Sequence, residues 1–335
     1  MPVSTLGARR QVLHTMLGLS IAAMSGLFAP TTWAAEDYPA RPIRLVVPYA
    51  AGGGPDIQAR KLGEVLGKEL GQPVVIENKV GAGGMLAAEY MGQQRADGYT
   101  LLLGSSTHIA QKLLQPAARF DPATFTHISR IGVSPAVLIV RSDSPYRTVG
   151  ELVAAARRMP GTLNYASGGI GSAAHIAGAA FVSAANVEAL HIPYKGSVDI
   201  VPALIKGDAQ FAFPVAGTAM PQINNGKVRA LVVTSAARNV MLPQVQTLNE
   251  ALGRTDLVLD SWSGIWAPAN LPRPLVMRLH AAILKALMDP GLRRFYAESG
   301  SLIDPSPTPE DFSRLIIEET AKTRQVIDKN HITLE

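Results

Sequence analysis

Two glycine-rich turns carry the residues whose types and spacing suggest chemistry. The first is Ala50–Asp56, where three glycines precede Pro55, and the second is Ser167–His175. Glycine lets the backbone approach a ligand closely, and a helix start has unpaired N–H groups and a partial positive charge. Either turn alone is equally consistent with a simple tight turn, but two at matching places favour a binding site for an anion.

The backbone groups that we expect at this site come from both turns. If the turns face each other across a cleft, they hold the two ends of a small dicarboxylate. Each hydrogen bond to a charged group contributes ~1.5–3 kcal/mol, so four suffice for micromolar binding without an arginine. The candidates are Ala51, Gly53 and Gly54 in the first turn and Ser167, Gly169 and Gly171 in the second.

Three side chains within the turns are candidates with structural alternatives. Asp56 either caps its helix, which we favour, or contacts the ligand by pairing with an ammonium group. Ser172 bonds either a ligand oxygen or its own helix turn. His175 lies one turn into a helix, and we expect it to donate a hydrogen bond to a residue that contacts the ligand.

Three more candidates lie beside the turns. Tyr49 either forms a wall of the pocket or packs in the core. Ser105 and Ser106 follow the third predicted strand and are either hydroxyl donors to the ligand or structural residues. Trp262 and Trp266 are expected to pack in the core or at a hinge.

The sequence lacks the patterns of common enzymes and metal sites. It has no cysteine, so thiolate zinc sites, cysteine nucleophiles and disulfides are excluded. The seven histidines are scattered, with no HExxH pair, and no G-x-S-x-G elbow or Walker sequence occurs. We therefore predict no catalytic residues, no metal and no cofactor.

One motif supports an alternative, an NAD(P)- or flavin-dependent enzyme. Gly169–Ala174 fits G-x-G-x-x-A after a predicted strand, as in a dinucleotide fingerprint. That fingerprint also needs an acid near the end of the next strand, where this chain has Ile192-Pro193-Tyr194-Lys195 instead. Glu188 stands at the start of that strand, so the motif is incomplete.

The elements that position these turns alternate between strand and helix. Ile43–Pro48 is an apolar run typical of a buried parallel strand, and Pro55 opens an amphipathic helix that ends at Gly71. The same order recurs at Leu163–Ala166 and the small-residue helix that follows. Such alternation predicts parallel, doubly wound α/β sheets.

Two sets of strands and helices, each with its own glycine turn, predict two similar lobes joined by a hinge. We assign residues 35–135 and 236–335 to the first lobe and residues 136–235 to the second, with the ligand cleft between them. Two crossings of the chain would form the hinge of a trap that closes on its ligand.

The first 34 residues are typical of a signal peptide. Arg9 and Arg10 precede an apolar run from Leu17 to Phe28, and Ala34 ends a small-residue cleavage pattern. The paired arginines are compatible with twin-arginine as well as ordinary export. The apolar run is shorter than a membrane span, so we expect a soluble periplasmic protein.

Composition limits the partners. The 335 residues are 47% hydrophobic and 17% charged, with a formal net charge of +5. These values are typical of a globular chain. No basic stripe or aromatic–basic cluster appears, so we predict no nucleic-acid partner.

Several motifs together resemble the TctC-like (Bug) receptors, the periplasmic solute-binding proteins of tripartite tricarboxylate transporters. They occur in order along nearly the whole mature chain. They are the run Tyr38–Asp56, Val75–Lys79 with Gly81–Gly84, Asp97–Leu102, Tyr165–Ser172 with His175, His191–Gly196 and Trp262–Pro268.

The resemblance implies a type II periplasmic-binding-protein fold, two α/β lobes that close on one small solute. It implies that the turns Ala50–Asp56 and Ser167–His175 hold a carboxylate, largely through backbone N–H groups and water. It also implies a monomer that delivers an organic, acidic or aromatic acid to TctA/TctB-like permease subunits. A ligand sensor for a two-component system would use the same fold.

Four positions depart from the family pattern. Ala51 stands where proline is usual, Ser172 where threonine is usual, and Ala203 where an acid is frequent. Pro214 follows Phe213 where an aspartate commonly ends the strand, which removes a partner for a ligand ammonium group. This last difference favours a purely anionic or aromatic acid over an amino acid.

Overall fold

Two mixed six-stranded sheets organise the chain. The structure, a computed structural model, describes residues 38–333, so the expected signal peptide lies outside the described residues. The strands are β1 Ile43–Val47, β2 Val74–Asn78, β3 Thr100–Ser105, β4 Thr126–Ser134, β5 Val137–Arg141, β6 Leu163–Ser167, β7 Ala189–Pro193, β8 Phe211–Ala212, β9 Val228–Val233, β10 Gln246–Thr247, β11 Ser261–Ala267 and β12 Leu302–Ile303.

Helices connect most of these strands. They are α1 Gly54–Leu70, α2 Met85–Gly92, α3 Ser106–Leu114, α4 Val149–Arg158, α5 Ala173–Ala185, α6 Ile200–Lys206, α7 Ala216–Asn224, α8 Leu248–Leu252, α9 Arg273–Ala286, α10 Pro290–Glu298 and α11 Pro309–Lys329. Within residues 38–333, no helix combines the length and the apolar character that a membrane crossing requires.

The two sheets share one layout. The first has the order β12-β4-β11-β3-β1-β2 and the second the order β10-β9-β5-β8-β6-β7. In each, three parallel strands form one side, and an antiparallel strand, β11 or β5, joins them to the rest. The expectation that the sheets are parallel is therefore wrong for β5 and β11. Each of these two strands enters its sheet directly after the chain has crossed from the other sheet.

The chain crosses between the sheets at two places. The first crossing is at Pro135, between β4 and β5, and the second lies just before β11. Thr234 joins them, since its hydroxyl accepts a hydrogen bond from Ala136 N at 2.9 Å and its carbonyl accepts one from Leu259 N at 3.2 Å.

The second crossing comes later than the expected return near residue 236. Strand β10 pairs with β9 in the second sheet, and Leu248 and Leu257 pack in the core of that sheet. The segment after residue 235 therefore stays with the second sheet until about residue 259. The sequence signal was missed because β10 has only two residues.

Apolar side chains cover both faces of the second sheet. Leu138 and Phe181 belong to the core on the side of α4 and α5, whereas Ile139 and Leu204 belong to the core on the side of α6 and α7. Such two-sided burial explains why β5 is a continuous apolar run.

The first sheet is organised around Trp266, which is fully buried and packs against Phe125 and His108. Gly104 in β3 makes room for it, because a Cβ there would lie 2.3 Å from the indole ring. The expected core role of the tryptophan is therefore observed, and the packing fixes the end of β3, where α3 begins.

Candidate functional site

The first glycine turn is held by a buried carboxylate. Asp56 is 1% exposed and accepts hydrogen bonds from Gly52 N at 2.9 Å, from Arg60 Nε at 3.0 Å and from Asn78 Nδ2 at 2.7 Å. The Asn78 amide also donates to the Tyr49 carbonyl at 2.9 Å. Asp56 thus ties the turn to helix α1 and to the end of β2.

The charge of Asp56 is matched within this network. Burial alone would raise the pKa of its carboxyl, but the hydrogen bonds from Arg60, Asn78 and Gly52 outweigh burial and hold the pKa below its usual value. The helix cap is Gly53, with no side-chain cap bond, so the expected capping role of Asp56 is replaced by support of the turn.

The second glycine turn is held by neutral groups. The Ser167 hydroxyl accepts a hydrogen bond from Gly169 N at 3.1 Å and lies 2.7 Å from His191 Nε2. His175 Nδ1 accepts a hydrogen bond from Gly171 N at 3.0 Å. The N–H groups of Gly169 and Gly171 are therefore occupied, and His175 accepts a bond at this atom where we expected a donor.

The rings of His175 and His191 stack on each other at the second turn. Their ring centroids lie 3.9 Å apart with an interplanar angle of 12°. Burial lowers the pKa of His175 to about 4, and burial together with His175 lowers the pKa of His191 to about 3. Both rings are therefore neutral near pH 7, as the acceptor role of His175 requires.

Three helices begin at one cleft. Pro55 in the first turn of α1, Thr107 in the first turn of α3, and Ala173 and Ala174 at the start of α5 all line it. The first N–H groups of a helix have no partner within the helix, and the helix start has a charge of about +0.5. Ser172 caps α5 by accepting from His175 N at 3.3 Å.

Ser105 at the end of β3 and Ser106 at the start of α3 bond residues that line the cleft. The Tyr49 hydroxyl bonds Ser105 Oγ at 2.8 Å, and Ser106 Oγ lies 3.0 Å from Ser261 Oγ in β11. Burial raises the pKa of Tyr49, although the Ser105 hydroxyl partly offsets this, so the phenol stays protonated. Tyr49 lines the cleft, whereas Ser106 lines an adjoining cavity.

The cleft has a largely apolar wall with a few polar groups. Tyr49 and Ser172 are the predicted side chains that line it directly, whereas the other predicted residues form or support the turns around it. Its apolar wall comprises Pro48, Ala50, Pro55, Val80, Ile200, Pro214 and Val215.

The structure adds lining residues that sequence reasoning did not select. They include Thr107, Lys195, Ser197 and Gly81, Gly83 and Gly84. The glycine cluster before α2 was visible as a strand-to-helix turn, and that signal was sufficient to suggest a third loop. Ser197 carried no such signal, because only the fold brings it to the cleft.

Turns from the two sheets contact each other across the cleft. The Gln111 side chain, from α3, donates a hydrogen bond to the Ile170 carbonyl of the second turn. A Cβ on Gly53 would lie 3.1 Å from Ser197 Oγ, and one on Gly54 would lie 2.4 Å from the Gly217 carbonyl carbon. Both glycines are therefore needed for the close approach of the backbones.

The polar groups of the cleft lining suit an anionic ligand. Among residues 38–333, no group of three or more histidines and acids is placed to hold a metal ion. The lining residues of the cleft include no aspartate or glutamate. The arrangement offers backbone donors and hydroxyl groups to an anion.

Known proteins with the same architecture bind solutes. A protein from Pseudomonas sp. (strain P51), described as "UPF0065 protein in tcbD-tcbE intergenic region", is 33% identical over 293 residues, which are 87% of each chain. The periplasmic binding protein BugD superposes with a TM-score of 0.83 at 30% identity, covering 88% of this chain and 99% of its own. The structure described as R. palustris Rpa4515 with adipate superposes with a TM-score of 0.85 at 31% identity, covering 89% and 99%.

These likenesses confirm the expected fold class, two α/β lobes as in periplasmic binding proteins. Residues 58–332 also match the family described as "Tripartite tricarboxylate transporter family receptor". The family and its solved relatives are binding proteins, which rejects the dinucleotide-dependent enzyme as an alternative. The chain therefore belongs to the TctC family of tripartite tricarboxylate transporter receptors, as the resemblance in sequence indicated.

Proposed function

We propose that this chain is an exported receptor that captures a small carboxylate in the cleft between its two sheets and delivers it to the membrane subunits of a tripartite tricarboxylate transporter. The carboxylate binds to the free N–H groups at the starts of α3 and α5, and the partial positive charge at the start of α1 adds to the attraction. It leaves the site unchanged, because the site holds it by hydrogen bonds alone.

One observation carries the proposal: three helix N-termini meet at a cleft whose lining has no acidic side chain. Helix starts attract anions, and three of them at one point favour a carboxylate over a neutral or cationic ligand. Micromolar affinity needs about 8 kcal/mol, which a few charged hydrogen bonds at ~1.5–3 kcal/mol each supply. The bound adipate in the R. palustris relative supports the same ligand class.

The occupied N–H groups revise how the second turn works. Gly169 and Gly171 donate to Ser167 and His175, so these bonds hold the turn in shape. The groups that bind the anion are instead those of Ala173 and Ala174, at the start of α5, which line the cleft. Tyr49 and Ser172 contact the ligand through their hydroxyl groups.

The two sheets define the lobes of the trap. We assign residues 38–135 and about 260–333 to one lobe and residues 136 to about 259 to the other, with Thr234 at the hinge. Ligand binding closes the lobes because it bridges the first turn and the second. Membrane subunits then recognise the closed form, and residues 1–34 direct export.

A calorimetric titration with a panel of carboxylates tests the proposal. We expect saturable binding of at least one small carboxylate at micromolar concentration, with the ligand recovered unchanged. Small-angle scattering of the same samples should show a smaller radius of gyration with ligand. No binding by any organic, acidic or aromatic acid would contradict the proposal.

Two glycine variants separate binding from folding. Gly171 and Gly207 both have a left-handed backbone, with φ of 72° and 85°, so alanine strains both by about 1 kcal/mol. A Cβ on Gly171 would also lie 2.8 Å from the Gln111 amide nitrogen, whereas one on Gly207 has no neighbour within 4 Å. Gly171→Ala should weaken affinity at least about tenfold more than Gly207→Ala. Equal affinities in calorimetry would reject the second turn as part of the site.

A further inference from the structure

A second cavity lies beside the cleft, where the chain crosses back into the first sheet. Its walls come from α3, α5, α11 and the segment Val258–Ser261, and we call it the crossing cavity. Helix α5 packs in a core of the second sheet, whereas α3 and α11 pack in a core of the first. A molecule bound in this cavity therefore contacts both halves of the protein.

Asp260 contributes a carboxylate to the crossing cavity that is poorly matched by its surroundings. The Thr234 hydroxyl lies 3.4 Å from Asp260 Oδ1, and its single proton is shared with the Leu259 carbonyl at 3.3 Å. In the described part of the chain, no basic side chain forms an ion pair with Asp260. A carboxylate removed from water without a cation is costly, so a positively charged ligand would be stabilised beside it.

Helix α11 adds one charge of each sign to the lining. Lys322 Nζ lies 3.6 Å from Glu319 Oε1, so this lysine is already shared with a second carboxylate. The lining therefore has two carboxylates and one ammonium group, a formal charge of −1 that one monovalent cation would balance. Helices α3 and α5 add no charged group, since their lining residues are Ser106, Thr107, Ala110, Ala173, Ile176 and Ala177.

The rest of the wall is apolar, which favours an organic cation over a metal ion. Ile176, Leu259 and Val326 line it together with alanines of α3 and α5. Hard metal ions prefer six or more oxygen ligands, and no group of three or more histidines and acids within residues 38–333 could hold one. An aliphatic chain attached to an ammonium group would bury its carbon atoms on this wall while the charge stays beside the carboxylates.

We propose that the crossing cavity binds a small primary ammonium compound with an aliphatic chain. The ammonium group pairs with Asp260 and Glu319, and the chain packs against Ile176 and Val326. This site is separate from the carboxylate site in the cleft, and it does not depend on the proposed function.

Butylammonium chloride and butan-1-ol test the site, because the two probes have the same chain and differ in charge. We titrate each into the purified protein at pH 8 without a carboxylate and follow binding by protein NMR. Wild type should bind butylammonium at least about tenfold more tightly than butan-1-ol. Asp260→Asn should remove most of this preference, while the affinity for butan-1-ol changes less than about twofold.

Glu318→Gln is the matched control, since it removes an exposed carboxylate of α11 outside the lining. It should retain the preference of wild type, with an unchanged melting temperature. Thr323→Phe is a second variant, which fills the cavity from α11 and should weaken both probes at least about tenfold. It decides the test if Asp260→Asn does not fold.

The pH dependence provides an independent measurement. Burial raises the pKa of Asp260 to about 6, and the charged groups facing it are Glu319 and Lys322 of α11. Asp260 is ionised at pH 8 and protonated at pH 5, so butylammonium should bind about tenfold more weakly at pH 5 in wild type and much less so in Asp260→Asn. Equal binding of the two probes, no binding of butylammonium, or a preference that survives Asp260→Asn would reject the site.

Discussion

The two glycine turns perform the same task with different internal chemistry. The first turn is fixed by the Asp56 carboxylate and its three donors, and the second by the neutral pair His175 and His191 with Ser167. Each arrangement places the start of a helix at the cleft, Pro55 of α1 in one case and Ala173 of α5 in the other. The comparison teaches that two glycine turns with the same position relative to a helix start can be held by quite different side chains.

The difference has an electrostatic reason. A carboxylate near an anion site opposes binding unless its charge is matched, and Arg60 together with Asn78 provides that match for Asp56. Two neutral histidines avoid the problem in the second turn, because burial keeps their pKa values low. Both solutions leave the cleft without net negative charge.

The largest effect on the free energy of unfolding is expected from Asp56→Ala, which removes the carboxylate that holds the first glycine turn. The change removes the acceptor that Gly52 N, the Asn78 amide and the Arg60 guanidinium share, although Asn78 still donates to the Tyr49 carbonyl and Arg60 to Asn78 Oδ1. We expect the free energy of unfolding to fall by about 3 kcal/mol, because several hydrogen bonds to a buried carboxylate are lost together. Urea unfolding monitored by tryptophan fluorescence measures this.

Asp56→Asn is the matched control, because it keeps an acceptor oxygen while it removes the charge. It should lose less than half as much free energy of unfolding. If Asp56→Ala leaves the urea midpoint unchanged, the carboxylate does not hold the first turn.

A second effect on stability is expected in acid, because the two buried histidines of the second turn resist protonation that the unfolded chain accepts. The folded pKa values of His175 and His191, about 4 and about 3, lie below the usual 6.5. The unfolded chain therefore binds more protons between pH 6.5 and pH 4, so the free energy of unfolding falls as the pH falls through this window. The lowered pKa of Asp56 means that the first turn loses its support only below about pH 4.

His175→Asn sharpens this test, since its side-chain oxygen replaces Nδ1 as acceptor for Gly171 N without titrating. Melting temperatures from pH 7.5 to 4.5 should decline less steeply in this variant than in wild type. The difference between the two proteins cancels other groups such as Asp260, whose pKa burial raises to about 6 and whose effect has the opposite sign. Parallel curves would show that the histidine ring is not the acid-sensitive group.

The smallest effect is expected from Ser172→Ala. Ser172 Oγ accepts from His175 N at the start of α5, and α1 has no equivalent side-chain cap. Loss of a cap costs about 1 kcal/mol, so the urea midpoint should shift slightly. Ser172→Thr keeps the hydroxyl and serves as control. A larger loss of ligand affinity than of stability would show that the hydroxyl contacts the ligand as well.

Local rules predicted much of this molecule from its sequence. Pro55 and Gly71 bounded α1 as expected, and the glycine runs marked two of the turns at the cleft. These signals are local, because proline favours the first turn of a helix and glycine the position just after its end.

Long-range pairing was not predictable in the same way. The antiparallel entry of β5 and β11 and the two-residue β10 depend on where the chain crosses between sheets. The role of Gly171 was missed for the same reason. Its N–H donates to His175 in α5, and the His175 ring stacks on His191 in β7, so the arrangement depends on two distant elements. Ser197 and Lys195 reach the cleft only through tertiary structure.

The cleft has three helix starts and no acidic side chain in its lining, which affects how the protein should be purified. Acetate, citrate and phosphate carry the kind of charge that such a site attracts, and bacterial extracts contain many organic acids. Purified protein would carry such molecules from growth medium or buffer, and an apparent dissociation constant would then reflect their displacement. Partial unfolding and refolding followed by dialysis into a zwitterionic buffer would give a receptor with an empty site for titration.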